Sequence, residues 1–253
     1  MLVAERHKKI ITIVDEKGSI RVSELSQIFN VTEETIRRDL EKLETEGKLQ
    51  RSHGGAVSVK QEGQVELPYF EREIRNVKEK MAVAEEAIHH VAINDRIILD
   101  ASTTAWYMAK RLPDIPLTVI TNSMKVIMEL STREKVTVIS SGGTLMSRSL
   151  SFVGPLAMET IEPYHVNKAF ISCQGIHNER GISDSNEMQS FVKKKMIEIA
   201  DEVYLLADYT KFGVQALSRI APLETIHYMI TDSKTDQAYI RSLQELNIEV
   251  ICL

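Results

Sequence analysis

The N-terminal sixty residues carry apolar positions at the spacing of short helices. Residues three and four apart share one face of a helix, so each such set predicts an amphipathic helix with a buried stripe. We expect the first helix to end near Gly18, and Ser23 and Thr32 to cap the second and third. The three stripes are Ile10, Ile11 and Val14, then Leu25, Ile28 and Phe29, and finally Ile36, Leu40 and Leu43.

A short hairpin is predicted after the third helix. Two strand-like segments, 49–52 and 56–59, flank His53-Gly54-Gly55, which is typical of a tight turn. Two helices joined by a tight turn and followed by a hairpin are the parts of a winged helix-turn-helix. The second helix of such a motif enters the major groove of DNA with its N-terminal residues toward the base edges.

Farther along the chain, continuous apolar runs alternate with helical patterns. Such strands are buried on both faces, so the alternation predicts an α/β fold with a mostly parallel sheet that helices cover on both sides. The pattern does not give the order of the strands. The predicted strands are 96–100, 117–121, 136–140, 168–173, 202–208, 227–232 and 248–253, and the predicted helices include 81–91, 104–111, 124–130, 187–200 and 236–246.

A polar stretch separates the two patterns. Residues 61–68 contain a glycine and a proline and show no apolar periodicity. We therefore predict a winged helix-turn-helix DNA-binding domain over residues 1–60, a linker over 61–75 and an α/β domain over 76–253.

Composition and charge narrow the class of protein. Hydrophobic residues make up 43% and charged residues 26% of the 253 positions, as in soluble globular proteins. Residues 1–60 hold 11 Lys/Arg and 10 Asp/Glu, and the remainder holds 20 and 26, so a globally basic nucleic-acid coat is excluded but a local basic face is not. Cys173 and Cys252 form neither a zinc nor a disulfide pattern. We expect a cytoplasmic protein without a membrane partner, metal or cofactor.

The third helix offers candidate contacts with DNA. If its apolar stripe faces inward, Thr35, Arg37 and Arg38 are available to the duplex. Arginine can bond a guanine bidentately or clamp a phosphate. The alternative is that these arginines are solvated charges, because acidic residues on the same helix weaken its positive field; they are Glu33, Glu34, Asp39 and Glu41.

Two strings in this region carry a family resemblance. Residues 31–44, VTEETIRRDLEKLE, followed by residues 51–56, RSHGGA, strongly resemble the N-terminal domain of the DeoR family of bacterial transcription regulators. The resemblance covers about residues 3–58 and implies a helix-turn-helix at 20–39, a wing with its tip at Gly54-Gly55, and a double-stranded DNA operator as partner. The implied DNA-binding residues are Ser23, Thr32, Glu34, Thr35, Arg37, Arg38, Arg51, His53 and Gly54.

Polar residues follow the predicted strands, and ligands of open α/β sheets bind at the carboxyl ends of strands. The helix start at residues 102–104 favours an anion such as phosphate, and Gly142-Gly143 allows close backbone approach. Lys211 is expected to neutralise a phosphate, and Asp100, Asp184 and Asp208 to accept hydrogen bonds from sugar hydroxyls. Alternatively, these features are an ordinary helix cap and turns, and Lys193, Lys194 and Lys195 are expected to form an exposed helical face. The candidate effector-binding residues are Asp100, Ser102, Thr103, Thr104, Trp106, Asn122, Ser123, Gly142, Gly143, Thr144, Gln174, Gly175, Asp184, Asp208 and Lys211.

The resemblance extends to this part of the chain. Residues 100–104, 121–123, 141–144 and 206–213 look like the sensor domain of the same family, which implies a fold similar to ribose-5-phosphate isomerase and a phosphorylated sugar as effector. Residues 100–109, DASTTAWYMA, and 170–177, FISCQGIH, look like members that regulate L-fucose or L-rhamnose catabolism. The implied effector is a 6-deoxyketose 1-phosphate, such as rhamnulose or fuculose 1-phosphate. Trp106 or Tyr107 would face its methyl group, unless the ring has an ordinary core role.

These features predict a sugar-phosphate-responsive repressor that works as a homodimer or homotetramer, since paired half-sites multiply the base contacts of one domain. An activator is the first alternative, because the sign of regulation depends on where the operator lies. A sugar-phosphate isomerase is the second. Isomerisation needs a general base, and the sequence does not position one among its candidates, so we assign no catalytic residue; those candidates are Asp100, Asp184, Glu187 and Asp208.

Overall fold

The computed structural model describes residues 3–17, 19–52, 54–57 and 66–253. The chain divides into two compact units, Met1–Val65 and Glu66–Leu253. Each unit has its own buried apolar cluster.

The first unit is a winged helix-turn-helix, as predicted. Its three helices bury one common apolar core that includes Ile10, Leu25, Ile36 and Leu43, whereas the predicted core residue Ile28 is 50% exposed. Its small antiparallel sheet has the strand order β1-β3-β2. In chain order the elements are α1 (Val3–Lys17), β1 (Ser19–Arg21), α2 (Val22–Phe29), α3 (Glu33–Thr45), β2 (Gln50–Ser52) and β3 (Gly55–Val57).

The wing fixes where α2 begins. A side chain at position 55 would place its Cβ 2.2 Å from the carbonyl oxygen of Ile20, so only glycine fits where β3 pairs with β1. The Gly54 carbonyl then accepts a hydrogen bond from the Val22 amide at 2.8 Å, and α2 starts at Val22. The predicted cap Ser23 is therefore wrong: it lies inside the first turn. Thr32 does cap α3, with its hydroxyl accepting from the Thr35 amide at 3.3 Å.

A buried charge pair ties α1 to α3. Asp39 on α3 accepts hydrogen bonds from Arg6 Nε at 2.6 Å and Arg6 NH2 at 3.1 Å, and His7 Nε2 lies 3.0 Å from the same carboxylate. All three residues are less than a tenth exposed. Burial opposes the charged carboxylate, but the bonds from Arg6 and His7 outweigh it and hold the pKa of Asp39 below its ordinary value. These bonds fix the rotation of α3 about its own axis.

The second unit is built on one seven-stranded sheet in which every pairing is parallel, so the predicted α/β class is confirmed. All seven predicted strands belong to it, in the order β15-β14-β12-β9-β4-β5-β6. The elements are α4 (Tyr69–Glu73), α5 (Val77–His89), β4 (Arg96–Leu99), α6 (Thr103–Arg111), β5 (Leu117–Thr121), α7 (Met124–Leu130), β6 (Val136–Ser140), β7 (Thr144–Met146), β8 (Ser151–Val153), α8 (Pro155–Ile161), β9 (Val166–Ile171), β10 (Gly175–His177), β11 (Gly181–Asp184), α9 (Glu187–Glu198), β12 (Ala200–Leu206), β13 (Ser218–Ala221), β14 (Tyr228–Thr231), α10 (Gln237–Glu245) and β15 (Glu249–Cys252).

Helices cover both faces of this sheet. Ile97 and Leu99 pack in a cluster with side chains of α5, α6 and α7, while their neighbour Ile98 packs on the other face with side chains of α8, α9 and α10. Within the described residues, no helix is long and apolar enough to cross a membrane.

The second unit begins inside the predicted linker. Residues 66–75 include α4, and Tyr69 is fully buried because its ring packs into the unit and its amide donates to the Arg148 carbonyl at 2.7 Å. The predicted linker residues 61–65 lie outside the described ranges. The linker prediction rested on polar composition, a glycine, a proline and the lack of apolar periodicity. None of these signals indicates that Tyr69 is buried.

We expect Asp39→Ala to destabilise the first unit by about 3 kcal/mol, because it leaves the buried Arg6 charge unpaired. In the full chain, hydrogen exchange of the α3 amides should then be about 100-fold faster, with exchange in the sheet of the second unit unchanged. Glu41→Ala, which removes an exposed carboxylate from the same helix, is the matched control. Equal α3 exchange in both variants would contradict a stabilising role for the pair.

The same carboxylate predicts a pH dependence. Because the folded-state pKa of Asp39 is lowered, its contribution is fully present above the ordinary aspartate pKa of about 3.9 and is lost as the pH falls through the lowered value. Protection of the α3 amides should therefore decline in acid in the wild-type chain. In Asp39→Asn this part of the decline should be missing.

Candidate functional site

The candidate DNA-binding residues lie on the outside of the first unit. Arg37 and Arg38 project from the N-terminal half of α3, with 52% and 77% of their side chains exposed. Thr35 is half-buried, and His53 lies outside the described residues. The remaining candidates are exposed: Ser23, Thr32, Glu34, Arg51 and Gly54.

Both arginines are paired within their own helix. Arg37 NH2 lies 2.8 Å from Glu33 Oε2, and Arg38 Nε lies 3.5 Å from Glu34 Oε1. Exposed pairs of this kind contribute about 0.3–0.5 kcal/mol, because water screens them. A DNA phosphate can therefore replace the glutamates as partner at small cost.

In the second unit, the carboxyl end of β4 leads into a buried charge cluster. Asp100 is fully buried and accepts hydrogen bonds from the amides of Ser102 at 3.1 Å and Ser172 at 2.9 Å. Lys193 Nζ lies 3.2 Å from Asp100 and 2.7 Å from Asp184. The lysine therefore joins two predicted site residues from opposite sides.

The prediction that Lys193 is exposed is wrong. Its side chain is 6% exposed, and burial on its own would lower its pKa, but Asp184 and Asp100 raise that pKa well above the ordinary value. Lys193 stays charged and balances the two carboxylates. Their oxygens are thus engaged inside the protein before any ligand arrives.

Two candidate serines serve as helix caps. The hydroxyl of Ser102 accepts from the Ala105 amide at 3.0 Å, and that of Ser123 accepts from the Val126 amide at 3.2 Å. Thr103 and Thr104, in the first turn of α6, are also buried. The alternative of a helix cap therefore applies to both serines.

Asn122, which follows β5, has a hydrogen-bonding atom to spare. Its amide nitrogen donates to the Phe152 carbonyl at 3.0 Å, while its buried Oδ1 has no partner among the described residues. Gln189 lies beside it, at 3.5 Å from the same amide nitrogen, and also donates to Ser149 at 3.1 Å and to Ser151. All four polar side chains of this group are buried.

The candidate glycines have packing reasons for lacking a side chain. A Cβ at Gly143 would lie 2.7 Å from the Val153 carbonyl, and one at Gly175 would lie 2.4 Å from the Val214 carbonyl. Gly142 has a positive φ of 58° in the turn before β7, whose first residue Thr144 is exposed. Gln174 is half-buried, and its amide donates to the Ser183 carbonyl at 2.9 Å.

Basic side chains gather around Asp208, which follows β12. Asp208 caps a 3-10 turn at Tyr209–Lys211 and accepts from Asn76 Nδ2 at 3.3 Å. Lys80 is 7% exposed and donates to the Arg72 carbonyl at 2.6 Å. Burial and the positive charges of Lys211, Arg72 and Arg75 lower the pKa of Lys80 to about 7, against the opposing effect of Asp208. We call these five charged residues the basic cluster: Arg72, Arg75, Lys80, Asp208 and Lys211.

Three of the five residues of the basic cluster were not among the candidates from the sequence: Arg72, Arg75 and Lys80. Lys80 stands on α5 at the spacing of the buried residues Val83, Ala84 and Ala87. A lysine within a buried helical stripe was the available signal. Arg72 and Arg75 gave no such signal, because they fall in residues 61–75, which were predicted to be a linker.

Residues 66–75, here called the strap, lie along the carboxyl edge of the sheet. Lys80 donates to the Arg72 carbonyl of the strap. The Tyr107 hydroxyl donates to the Glu73 carbonyl at 3.0 Å. The side-chain nitrogen of Asn186 donates to Glu66 Oε2 at 3.2 Å. These anchors belong to α5, α6 and the start of α9, so the strap is attached to three separate elements of the unit.

Trp106 is close to the strap but belongs mainly to the core. Its ring is 8% exposed, packs in the cluster on the α5, α6 and α7 face, and carries the ammonium groups of Lys110 and Lys125 at 4.6 and 4.7 Å from its centroid. Lys125 also lies 5.6 Å from the Tyr69 ring of the strap. The Trp106 indole and the Tyr69 ring of the strap therefore both lie close to the Lys125 ammonium group.

In the described ranges, no group of three or more His, Cys, Asp or Glu side chains is arranged to hold a metal ion.

Comparisons with known proteins cover both units. Residues 6–62 match the DeoR-like helix-turn-helix domain and residues 75–233 match the DeoR C terminal sensor domain. The Bacillus subtilis (strain 168) protein named uncharacterized HTH-type transcriptional regulator YulB is 59% identical over 99% of this chain and 96% of its own length. The L-fucose operon activator of Haemophilus influenzae is 38% identical over 90% of this chain and 91% of its own length.

Among solved structures, ribose 5-phosphate isomerase A of Methanocaldococcus jannaschii is 18% identical, with 54% of this chain and 55% of that chain covered and a TM-score of 0.41. A likeness of this size assigns no activity. The two domain matches and the long, similar relatives do assign a family. The chain belongs to the DeoR family of transcriptional regulators.

Proposed function

We propose that this regulator binds a phosphorylated sugar at the carboxyl edge of its sheet and a double-stranded DNA operator through α3 and the wing. The observation that carries the effector proposal is the basic cluster. Three cations act on the buried Lys80, and Asp208 is the carboxylate that acts against them. Lys80 itself is buried, where an uncompensated charge is costly, so an anion bound at this edge would favour its charged form.

A phosphate dianion is such an anion. Arginine and lysine donors form short, charge-assisted bonds with phosphate oxygens, and burial strengthens them. By contrast, Asp100 and Asp184 are already balanced by Lys193. We therefore assign the phosphate to the basic cluster and the sugar to polar groups that follow the other strands of the sheet, including Asn122.

The finer effector assignment is a 6-deoxyketose 1-phosphate, such as rhamnulose or fuculose 1-phosphate. It is supported by the relative named L-fucose operon activator, whose likeness extends over 90% of this chain. The Trp106 ring offers an apolar surface close to the strap. We retain the remaining sequence candidates as a proposed lining of the site and the proposed domains 1–60 and 76–253, with the second extended to include the strap.

Repression is the proposed sign of regulation and activation is the alternative, since relatives include the Haemophilus influenzae activator and an Agrobacterium fabrum protein named transcriptional repressor AccR. A promoter-reporter strain without this gene distinguishes them, because expression rises if the protein represses. Because one recognition helix reads few base pairs, we also propose that the protein is a homodimer or homotetramer. Sedimentation velocity would test this oligomeric state.

For DNA binding, we expect Arg37→Ala combined with Arg38→Ala to weaken binding to the operator upstream of the neighbouring sugar genes. Loss of two phosphate or base contacts should lower affinity at least tenfold and reduce the salt slope by about 2. Mobility-shift titrations at several salt concentrations measure both quantities. Arg241→Ala, at an exposed arginine of α10, is the control. If the double variant binds as tightly as that control, α3 is not the recognition helix.

For the effector, we expect a phosphorylated sugar to change the fluorescence of Trp106, the single tryptophan. The panel contains rhamnulose 1-phosphate, fuculose 1-phosphate, other sugar phosphates and the matching free sugars. A charge-assisted bond contributes about 1.5–3 kcal/mol, so the free sugar should bind at least tenfold more weakly than its phosphate. If no phosphorylated sugar changes the fluorescence or gives a heat of binding in calorimetry, the proposed effector class is wrong.

The basic cluster predicts an unusual titration. We expect the Lys80 ammonium to titrate near pH 7 in the free protein, because burial and neighbouring cations favour its neutral form. NMR of the lysine side chains, assigned with Lys80→Arg, measures the midpoint. Inorganic phosphate should move the midpoint to above about 8, since an adjacent anion favours the charged form. A midpoint near the ordinary lysine value of about 10.4, with or without phosphate, contradicts a buried cation cluster.

A further inference from the structure

The strap contains a buried tyrosine whose hydroxyl has no partner. Tyr69 is 0% exposed, and its hydroxyl makes no hydrogen bond with any described residue. A buried hydroxyl without a partner costs about 1–3 kcal/mol, so such groups are rare unless something else binds them.

The surroundings of the ring indicate where a hydrogen-bond partner of the hydroxyl would lie. The guanidinium of Arg72, a member of the basic cluster, and the ammonium of Lys125 each lie 5.6 Å from the ring centroid. Burial raises the pKa of Tyr69 far above its ordinary value, and the charges of Glu73 and Asp100 raise it further. The phenol is therefore a permanent hydrogen-bond donor between the basic cluster and the end of β4.

Backbone contacts fix the ring in this position. The Tyr69 amide donates to the Arg148 carbonyl at 2.7 Å, and the Arg148 side chain donates back to the Glu66 carbonyl. Arg72 Nε donates to the Leu67 carbonyl at 3.1 Å. These bonds hold the backbone at Tyr69, and the fully buried ring keeps the hydroxyl out of contact with bulk water.

We propose that Tyr69 is a ligand-contacting residue, whose phenol donates a hydrogen bond to an oxygen of the phosphorylated sugar and so attaches the strap to the effector. The proposal rests on the proposed effector site. It adds a direct contact between the ligand and the first residues of the sensor unit, which follow the segment that leads from the DNA-binding unit in sequence. Occupancy of the site thereby acts on the strap itself.

Tyr69→Phe tests the proposal, because it removes the hydroxyl and keeps the ring. In the free protein the change deletes an unsatisfied buried donor, so the Tm of the sensor unit should rise by about 2 °C or more. The dissociation constant of the sugar phosphate that binds the wild type most tightly in the Trp106 panel should increase about tenfold. The concentration of that sugar phosphate needed to change operator binding should shift by the same factor.

Tyr204→Phe is the matched control. Its hydroxyl donates to Glu202 Oε2 at 3.0 Å, and its ring is buried in the sheet. This variant should leave the dissociation constant unchanged.

The outcomes separate the two proposals. An unchanged dissociation constant for Tyr69→Phe overturns the tyrosine contact and leaves the effector site standing. Weaker binding together with a lower Tm also overturns it, because that combination marks a structural tyrosine. If no sugar phosphate binds the wild type, the effector proposal fails and the tyrosine contact fails with it.

Discussion

The cost of an unbalanced buried charge shapes both units of this protein. Water stabilises an ion far better than a protein interior does, so each buried charge needs a partner or shifts its protonation. Asp39 meets this requirement through Arg6 and His7, and the pair of Asp100 and Asp184 meets it through Lys193. At Lys80, in contrast, burial and the neighbouring cations together lower the pKa and favour the neutral amine.

The balanced clusters and the unbalanced one have different consequences. Removal of either partner from a balanced cluster leaves a bare charge, so these clusters hold elements in fixed positions: α3 against α1, and α9 against the end of β4. An unbalanced cluster gains from an added anion. The free energy of binding at such a site comes partly from relief of repulsion among the protein's own cations, which a neutral sugar cannot provide.

The sequence was sufficient for the larger elements because their patterns are periodic and long. The seven apolar runs predicted the seven strands, and the stripe of Ile36, Leu40 and Leu43 predicted α3. Contacts between distant segments were out of reach, since no local pattern pairs Arg6 with Asp39 or Lys193 with Asp184. The order of the strands and the small sheets, such as the pairing of β7 with β8, depend on such contacts as well. Composition misled at the strap, where five of the ten residues are charged and Tyr69 is nevertheless buried.

Signalling from the effector site requires that the ligand bind two arrangements of the protein with different affinity. A ligand held only by the sheet would contact residues that the balanced cluster of Lys193 keeps fixed. Residues that do not move give the ligand the same affinity for both arrangements. The strap differs from the sheet, because a few hydrogen bonds and one buried ring connect it to the rest of the unit. Lys80 donates to the Arg72 carbonyl of the strap while its ammonium responds to the charges of the cluster. An anion bound at the cluster would favour the protonated form of Lys80, which takes its proton from solvent, and would so strengthen this bond to the strap.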